Sequence, residues 1–230
     1  MKKILLAAAT IVASFNALNA QESVKFGVQA GYLLGSSKFT GEGGVSYGTA
    51  TSTSGFRVGV NASIPISSSL FFSPEINFVN KGSKNVLSDA SMGVAISVNN
   101  SFNANYLEMP LNVLYKFPSQ NEGGFFIGAG PSISMGLSGK GSYVASVMGA
   151  TMNTNYAIKF DGKTDDQLPP TDEDVHLQKF ELGGNILAGY KLNNGLSFRL
   201  NYNFGFTDMD PNADAGTKNR YVGLTVGFTF

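Results

Sequence analysis

Residues 220–230 read Arg-Tyr-Val-Gly-Leu-Thr-Val-Gly-Phe-Thr-Phe. Val222, Leu224, Val226, Phe228 and Phe230 are apolar at every second position, with Tyr221, Gly223, Thr225, Gly227 and Thr229 between them. A period of two puts alternate side chains on opposite faces of a strand, so this strand has one oily face and one small or polar face. On a membrane-spanning strand the oily face meets lipid and a terminal aromatic sits at the interface. A C-terminal aromatic on such a strand also resembles the signal read by a barrel-assembly machinery.

Working back from that strand, the same alternation recurs. Eight segments carry it: 24–34, 55–64, 69–80, 103–117, 125–136, 178–192, 196–207 and 220–230. The second turns Phe56, Val58, Val60, Ala62 and Ile64 one way and Arg57, Gly59, Asn61 and Ser63 the other. In the third, Pro74 removes a ladder donor, and a local bulge is expected to accommodate it. The connections alternate in length. Residues 35–54, 81–102, 137–177 and 208–219 are long, whereas 65–68, 118–124 and the hairpin Asn193-Asn194-Gly195 are short. Short turns at one end and long loops at the other are the asymmetry of an outer-membrane barrel, and an even strand count puts both termini in the periplasm. The fold expected is all-β: an eight-stranded antiparallel up-and-down transmembrane barrel of OmpA or OmpX size. A strand of about 11 residues tilted near 40° spans the roughly 25 Å lipid band.

Composition agrees with this reading. The chain has 18 Phe, 9 Tyr and 28 Gly with only 14% charged residues, and after residue 20 no apolar run is long enough for a spanning helix. Met1-Lys2-Lys3 precedes an apolar run from Ile4 to Ala13, and small residues lead to Asn19-Ala20-Gln21. This is the pattern of a cleaved signal peptide over residues 1–20, leaving a barrel domain over 21–230. Without Lys2 and Lys3 the chain has 14 basic and 16 acidic residues, a net charge of −2, and nothing points to nucleic acid. Cysteine is absent, which excludes disulfides, thiolate metal sites and a lipidation cysteine. The location expected is the outer membrane of a Gram-negative bacterium.

The fourth segment carries a resemblance. Tyr106-Leu107-Glu108-Met109-Pro110-Leu111, continuing to Tyr115-Lys116, resembles a strand of the PorT-like outer-membrane β-barrels of Bacteroidota. The Gly128-Ala129-Gly130-Pro131 strand, Gly189-Tyr190 and the C-terminal aromatic also fit. The resemblance implies an eight-stranded barrel and no single activity. The secretion role of the founding member is not carried over.

The inward faces hold Lys25, Arg57, Glu75, Glu108, Glu181, Lys191 and Arg199. Eight strands enclose only enough room for their own side chains, so these charges are expected to pair and seal the lumen. A gated ion or proton path through the same groups is the sharper alternative. Arg57, Glu75, Glu108 and Arg199 are expected to form one network. Inward glycines, such as Gly59, Gly183, Gly205 and Gly223, leave space for it.

His176 is the single histidine. Barrel hydrolases and acyltransferases use a histidine near the outer rim, but no serine sits in a diagnostic frame. A solvated loop histidine is the plain reading. Asp161, Asp165, Asp166, Asp172, Glu173 and Asp174 crowd the same loop without the spacing of a calcium loop, and read as a solvated acidic strip. Outward Tyr115, Tyr190 and Phe228 at one end, and Tyr32, Phe56 and Phe206 at the other, read as interface girdles. The function expected is a non-enzymatic outer-membrane barrel with no catalytic, cofactor or metal site. Its expected partners are outer-membrane lipid, the assembly machinery through Phe230, and a surface or periplasmic protein. A lipid-modifying enzyme and a narrow solute channel are the alternatives.

Overall fold

The computed structural model describes residues 24–40, 49–89, 96–118, 123–148, 150–169, 171, 173–212 and 216–230. The leader expected at 1–20 lies outside them.

Among the described residues ten strands are formed: β1 Lys25–Thr40, β2 Thr49–Pro65, β3 Leu70–Asp89, β4 Ile96–Lys116, β5 Gly124–Val147, β6 Ala150–Lys159, β7 Val175–His176, β8 Phe180–Lys191, β9 Leu196–Gly205 and β10 Gly216–Thr229. Eight of them close a ring. The run β4-β3-β2-β1-β10-β9-β8-β5 is joined end to end by the β4–β5 pairing. All of these pairs are antiparallel, and the first and last strands meet at Gly27↔Thr229. The eight-stranded barrel read from the sequence is therefore the fold, with the last strand as one wall of the closure.

The face assignments also hold. Phe26, Val28, Tyr32, Leu34, Phe56, Val58, Val60, Leu200, Leu224 and Phe228 are exposed on the outer wall. Arg57, Glu75, Asn77, Glu108, Asn112, Asn201 and Thr225 are buried in the lumen. An inside-out distribution of this kind is stable only where the outer solvent is lipid. At the end carrying the short turns, Tyr115 and Phe117 stack edge-on at 5.1 Å between centroids, Phe125 and Tyr190 at 4.7 Å, and Phe228 and Phe230 at 5.5 Å. At the other end Phe56 lies 6.0 Å from Phe78 and Phe204 lies 5.2 Å from Phe206. The Asn193-Asn194-Gly195 turn forms as read. Gly195 takes φ +90°, a left-handed conformation that glycine adopts without a Cβ penalty.

Three expectations need correction. First, the long connections are largely strand. β1 and β2 run to Thr40 and back from Thr49, and β3 and β4 run to Asp89 and back from Ile96, far past the aromatic belt. Second, residues 137–177 are not one loop. A bulge where Asn105 faces Ser138 but Tyr106 faces Gly136 leaves Leu137 unpaired. Below it β5 pairs with β8, as far as Met135↔Phe180. Beyond it the same edge pairs with β6, from Gly139↔Ile158 to Val147↔Ala150. The bulge is thus the point where the wall leaves the ring. Third, Pro74 causes no bulge toward β4: the register is the same from Leu70↔Tyr115 to Asp89↔Ile96, and Pro74 itself pairs with Leu111. The pairing skips from there to Asn77↔Glu108, a gap that contains Pro110.

Candidate functional site

Among the described residues charges gather away from water in the lumen, where their side chains form two tiers. The first centres on Glu75. Alternation places Arg57 on β2, Glu75 on β3 and Arg199 on β9 facing inward, and each is more than nine-tenths buried. Arg57 Nη2 donates to Glu75 Oε2 at 2.7 Å, and Arg199 Nη1 donates to Glu75 Oε1 at 2.7 Å. Gln29 Nε2 at 2.8 Å, Asn77 Nδ2 at 3.1 Å and Asn112 Nδ2 at 3.2 Å also donate to the carboxylate. Arg199 Nη2 donates in turn to Gln29 Oε1. With its amide oriented to satisfy both ends, Asn201 accepts from Arg57 Nη1 at 3.0 Å and donates to Gly223 O. A carboxylate with this many donors is fully solvated by protein.

The second tier centres on Lys81. Lys81 Nζ donates to Glu181 Oε2 at 3.1 Å and stands 3.9 Å from Glu108 Oε2. Its ammonium also lies 4.5 Å from the Tyr106 ring centroid and 5.6 Å from that of Tyr221, within cation–π range. Tyr221 OH donates to Glu108 Oε1 at 2.5 Å, and Asn219 Nδ2 donates to Glu181 at 3.3 Å. Across both tiers three cations meet three carboxylates, so the packed lumen is neutral.

The seven residues expected in the lumen divide accordingly. Arg57, Glu75 and Arg199 form the first tier, and Glu108 and Glu181 join the second. The expected single network of Arg57, Glu75, Glu108 and Arg199 is two, because Glu108 bonds to Tyr221, Ser134 and Lys81 and to neither arginine. Lys25 and Lys191 are in neither tier. They line the mouth at the short-turn end, where the strands stop and the lumen opens to solvent. Lys81, placed in a connection by the sequence reading, is the cation of the second tier. Its signal was present, because it continues the inward frame of Glu75, Asn77 and Val79.

Apolar groups pack at both ends. Phe71, Leu114, Phe126 and Leu187 cluster below the Glu75 tier on the β3, β4, β5 and β8 side. Beside them the mouth holds a cavity of about 60 Å³, room for a few water molecules, which reaches Gln29 and Arg199 of the first tier. At the other end Leu33, Val79, Ala104, Ile158, Leu177 and Met209 form one cluster with Tyr106 and Tyr221. Leu177 and Met209 come from connections that fold inward as a lid. Gln178 N donates to Met209 O at 2.8 Å, and Met209 N donates to Thr217 O at 2.9 Å.

His176 belongs to this lid, which corrects the solvated-loop reading. It is buried, and its Nδ1 lies 2.7 Å from Asp161 Oδ1. Lys159 pairs with Asp174 at 2.8 Å, and Asp165 is tied to Asn212. The hydrogen bond with His176 holds the Asp161 carboxyl below its ordinary range, and the bond with Lys159 does the same for Asp174. Depressed carboxyls stabilise the lid above their unfolded value of 3.8, and that contribution is lost as pH falls through the lower folded values. The acidic strip is therefore an ordered segment with an internal charge pattern. Asp172 lies outside the described residues, and among those residues no group of three acidic or histidine side chains converges as a metal site. His176→Ala is expected to speed amide exchange of residues 160–178 about tenfold, in line with loss of about 1–2 kcal/mol from one charge-assisted bond. Exchange of the β1–β10 ladder should stay unchanged. Hydrogen–deuterium exchange read by mass spectrometry checks this.

Beyond the lid the extended walls of β2, β4, β5 and β6 surround a cup of about 660 Å³, lined by Thr53, Phe102, Asn103, Lys140, Ser142 and Tyr156 among others.

The family model described as outer membrane protein beta-barrel domain matches residues 19–210. No curated protein matches the chain. Among solved structures the chain is similar to Ail, the attachment invasion locus protein of Yersinia pestis, at 10% identity and a TM-score of 0.41, covering 91% of this chain and 100% of that one. It is similar to Neisserial surface protein A at 14% identity and a TM-score of 0.39, covering 91% and 100%. It is also similar to OprG from Pseudomonas aeruginosa at 12% identity and a TM-score of 0.37, covering 91% and 97%.

Proposed function

Because the chain belongs to the outer membrane protein beta-barrel domain family, we propose that it is a sealed, non-enzymatic barrel of the Gram-negative outer membrane, and that its work is done by the wall and lid beyond the lipid. The observation that carries this reading is the self-neutralising lumen: three cations against three carboxylates, with an apolar cluster at each end. Such a core is a strut rather than a conduit. His176 is engaged with Asp161 inside the lid, which is the geometry of a loop anchor. A lipid-modifying role would need that imidazole beside a nucleophile, so we keep the enzyme reading as the alternative.

The short connections after β2, β4 and β8 share one end with the start of β1 and the end of β10. We place that end, and both termini, in the periplasm. Phe230, exposed beyond its backbone bond to Phe26 O at 2.8 Å, then faces an assembly machinery on that side. The PorT-like affinity is the narrower assignment we favour within the family. Its Tyr106-Leu107-Glu108-Met109-Pro110 segment puts Tyr106, Glu108 and Pro110 into the lumen and Leu107 and Met109 toward lipid, so the motif is the second tier written along one strand. The partner at the outer face is a surface molecule that meets the extended walls.

The absence of cysteine makes a clean test. Met148→Cys, at the exposed β5–β6 tip, should react with a membrane-impermeant maleimide on intact cells. Ser67→Cys should react only after the outer membrane is opened. Adding Phe230→Asp to Met148→Cys should cut the labelled fraction several-fold. Labelling of Ser67→Cys on intact cells would invert the orientation, and full labelling with Phe230→Asp would remove the assembly role of the terminus.

A further inference from the structure

β6 stands outside the ring, and its two edges differ. One pairs with β5 from Gly139↔Ile158 to Val147↔Ala150. The other meets β7 only at Ile158↔Val175 and Lys159↔His176. Leu177 N donates to Lys159 O at 2.8 Å, and Ala157 N donates to Asp174 Oδ1 at 2.9 Å. Odd-numbered residues of β6 therefore turn their backbone groups away from β5, and the period of two carries Thr151, Asn153 and Asn155 the same way. All three are exposed, and among the described residues no strand lies against them. Native edges are usually blunted by charge, proline or a bulge. Residues 150–157 read Ala-Thr-Met-Asn-Thr-Asn-Tyr-Ala, with neither charge nor proline, and their register with β5 is unbroken. The faces beside this edge also differ. Met152 and Tyr156 share the face of Ile158, which belongs to the lid cluster, and Tyr143 and Val147 of β5 flank them there. Met152, Tyr143 and Val147 are exposed on that face. Thr151, Asn153 and Asn155 occupy the opposite one. At the hairpin tip Met148 is 78% exposed and takes φ +51°, a left-handed conformation that glycine or asparagine normally fills. A flexible apolar side chain held at such a strained, exposed position marks a contact surface.

We propose that this edge is a strand-addition site, and that its occupant is an extended segment of another protein with apolar side chains at alternate positions. The chain already uses the base of the same edge in this way through β7, and the occupant continues that ladder above Ala157. Alternating backbone donors and acceptors are complementary to a peptide backbone, and the apolar face selects the side chains that lie over it. A second copy in the same membrane is a poorer fit. Its β6 runs in the same direction, so the two-fold antiparallel pairing of two such edges would need one barrel inverted. The proposal rests on the surface-partner reading above and names that partner's chemistry. Docking is measured in detergent, where orientation plays no part, so a docking failure and a labelling failure are separate results.

The test is amide exchange read by NMR on the full barrel in detergent micelles, with the acetylated and amidated peptide Thr-Val-Thr-Val-Thr-Val-Thr as probe. In the free protein the amides of Thr151, Asn153 and Asn155 should exchange fast, while those of Met152 and Thr154, which face β5, exchange slowly. Saturating peptide should slow the three edge amides about tenfold or more and leave Met152 and Thr154 unchanged. The same peptide N-methylated at every residue should have no effect. Asn153→Pro removes an edge donor and spares the β5 ladder, so it should abolish the protection. Slow exchange at Met152 and Thr154 shows that its hairpin is intact, and Thr151→Pro takes its place if it is not. Slow exchange of the edge amides in the free protein would overturn the proposal, because the edge would already be covered. So would an absence of protection by the peptide, or equal protection by its N-methylated form. A dimer in nanodiscs that is lost with Asn153→Pro would also overturn it, by making a second copy the occupant.

Discussion

Replacing Glu75 by alanine is expected to destabilise the barrel by about 3–5 kcal/mol, the cost of stranding buried charge. Five donors converge on this carboxylate, two of them guanidinium groups at 2.7 Å. Without it Arg57 and Arg199 remain buried with like charge and one neutral acceptor each, Asn201 and Gln29. Glu75→Gln should fall between, since it keeps an oxygen for the donors but not the charge. The triple variant Arg57→Met, Glu75→Met, Arg199→Met should regain most of the loss, because a buried ion cluster can be replaced by packed apolar groups at little net cost. Urea titration in lipid vesicles, followed by far-UV circular dichroism, measures the series. If Glu75→Ala unfolded at the wild-type midpoint, Glu75 would not be the centre of the tier.

The second large effect falls on Lys81. Lys81→Met keeps length and apolar stem but leaves Glu108 and Glu181 without a cation. Glu108 keeps the Tyr221 and Ser134 hydroxyls, whereas Glu181 keeps only Asn219. A loss of about 3–5 kcal/mol is expected again. Adding Glu181→Gln should restore most of it, while Glu108→Gln should restore less. The difference between the two double variants identifies Glu181 as the carboxylate that depends on Lys81. Equal rescue by both would show that the ammonium is shared evenly.

What the sequence made legible follows the physics of lipid contact. Wherever the outer wall meets hydrocarbon, every second residue must be apolar, and the alternation exposed all eight ring strands and their faces. Arg57, Glu75, Glu108, Glu181 and Arg199 were legible for the same reason, as charges in the inward frame of an apolar strand. Above the lipid that constraint ends. Thr49–Ser54 and Ala150–Asn155 are strand in the fold, but small and polar residues dominate both faces, which reads as a loop. Lys81 was lost at this boundary, one step beyond Val79 in an unbroken frame. Leu177 and Met209 carried no periodic signal, because a lid residue is fixed by tertiary packing alone. The bond between His176 and Asp161 joins positions 15 apart across a turn, a contact that no local pattern encodes. Lys25 and Lys191 share the inward frame but sit where the strand ends, and the frame gives direction, not depth.

We propose that paired charges and apolar packing seal this barrel. Planar-bilayer recording of the purified wild-type protein tests it most directly. A sealed lumen gives a quiet membrane, with no steady single-channel steps across the voltage range. Large, stable, reproducible steps from the wild type would contradict it and make the lumen a channel.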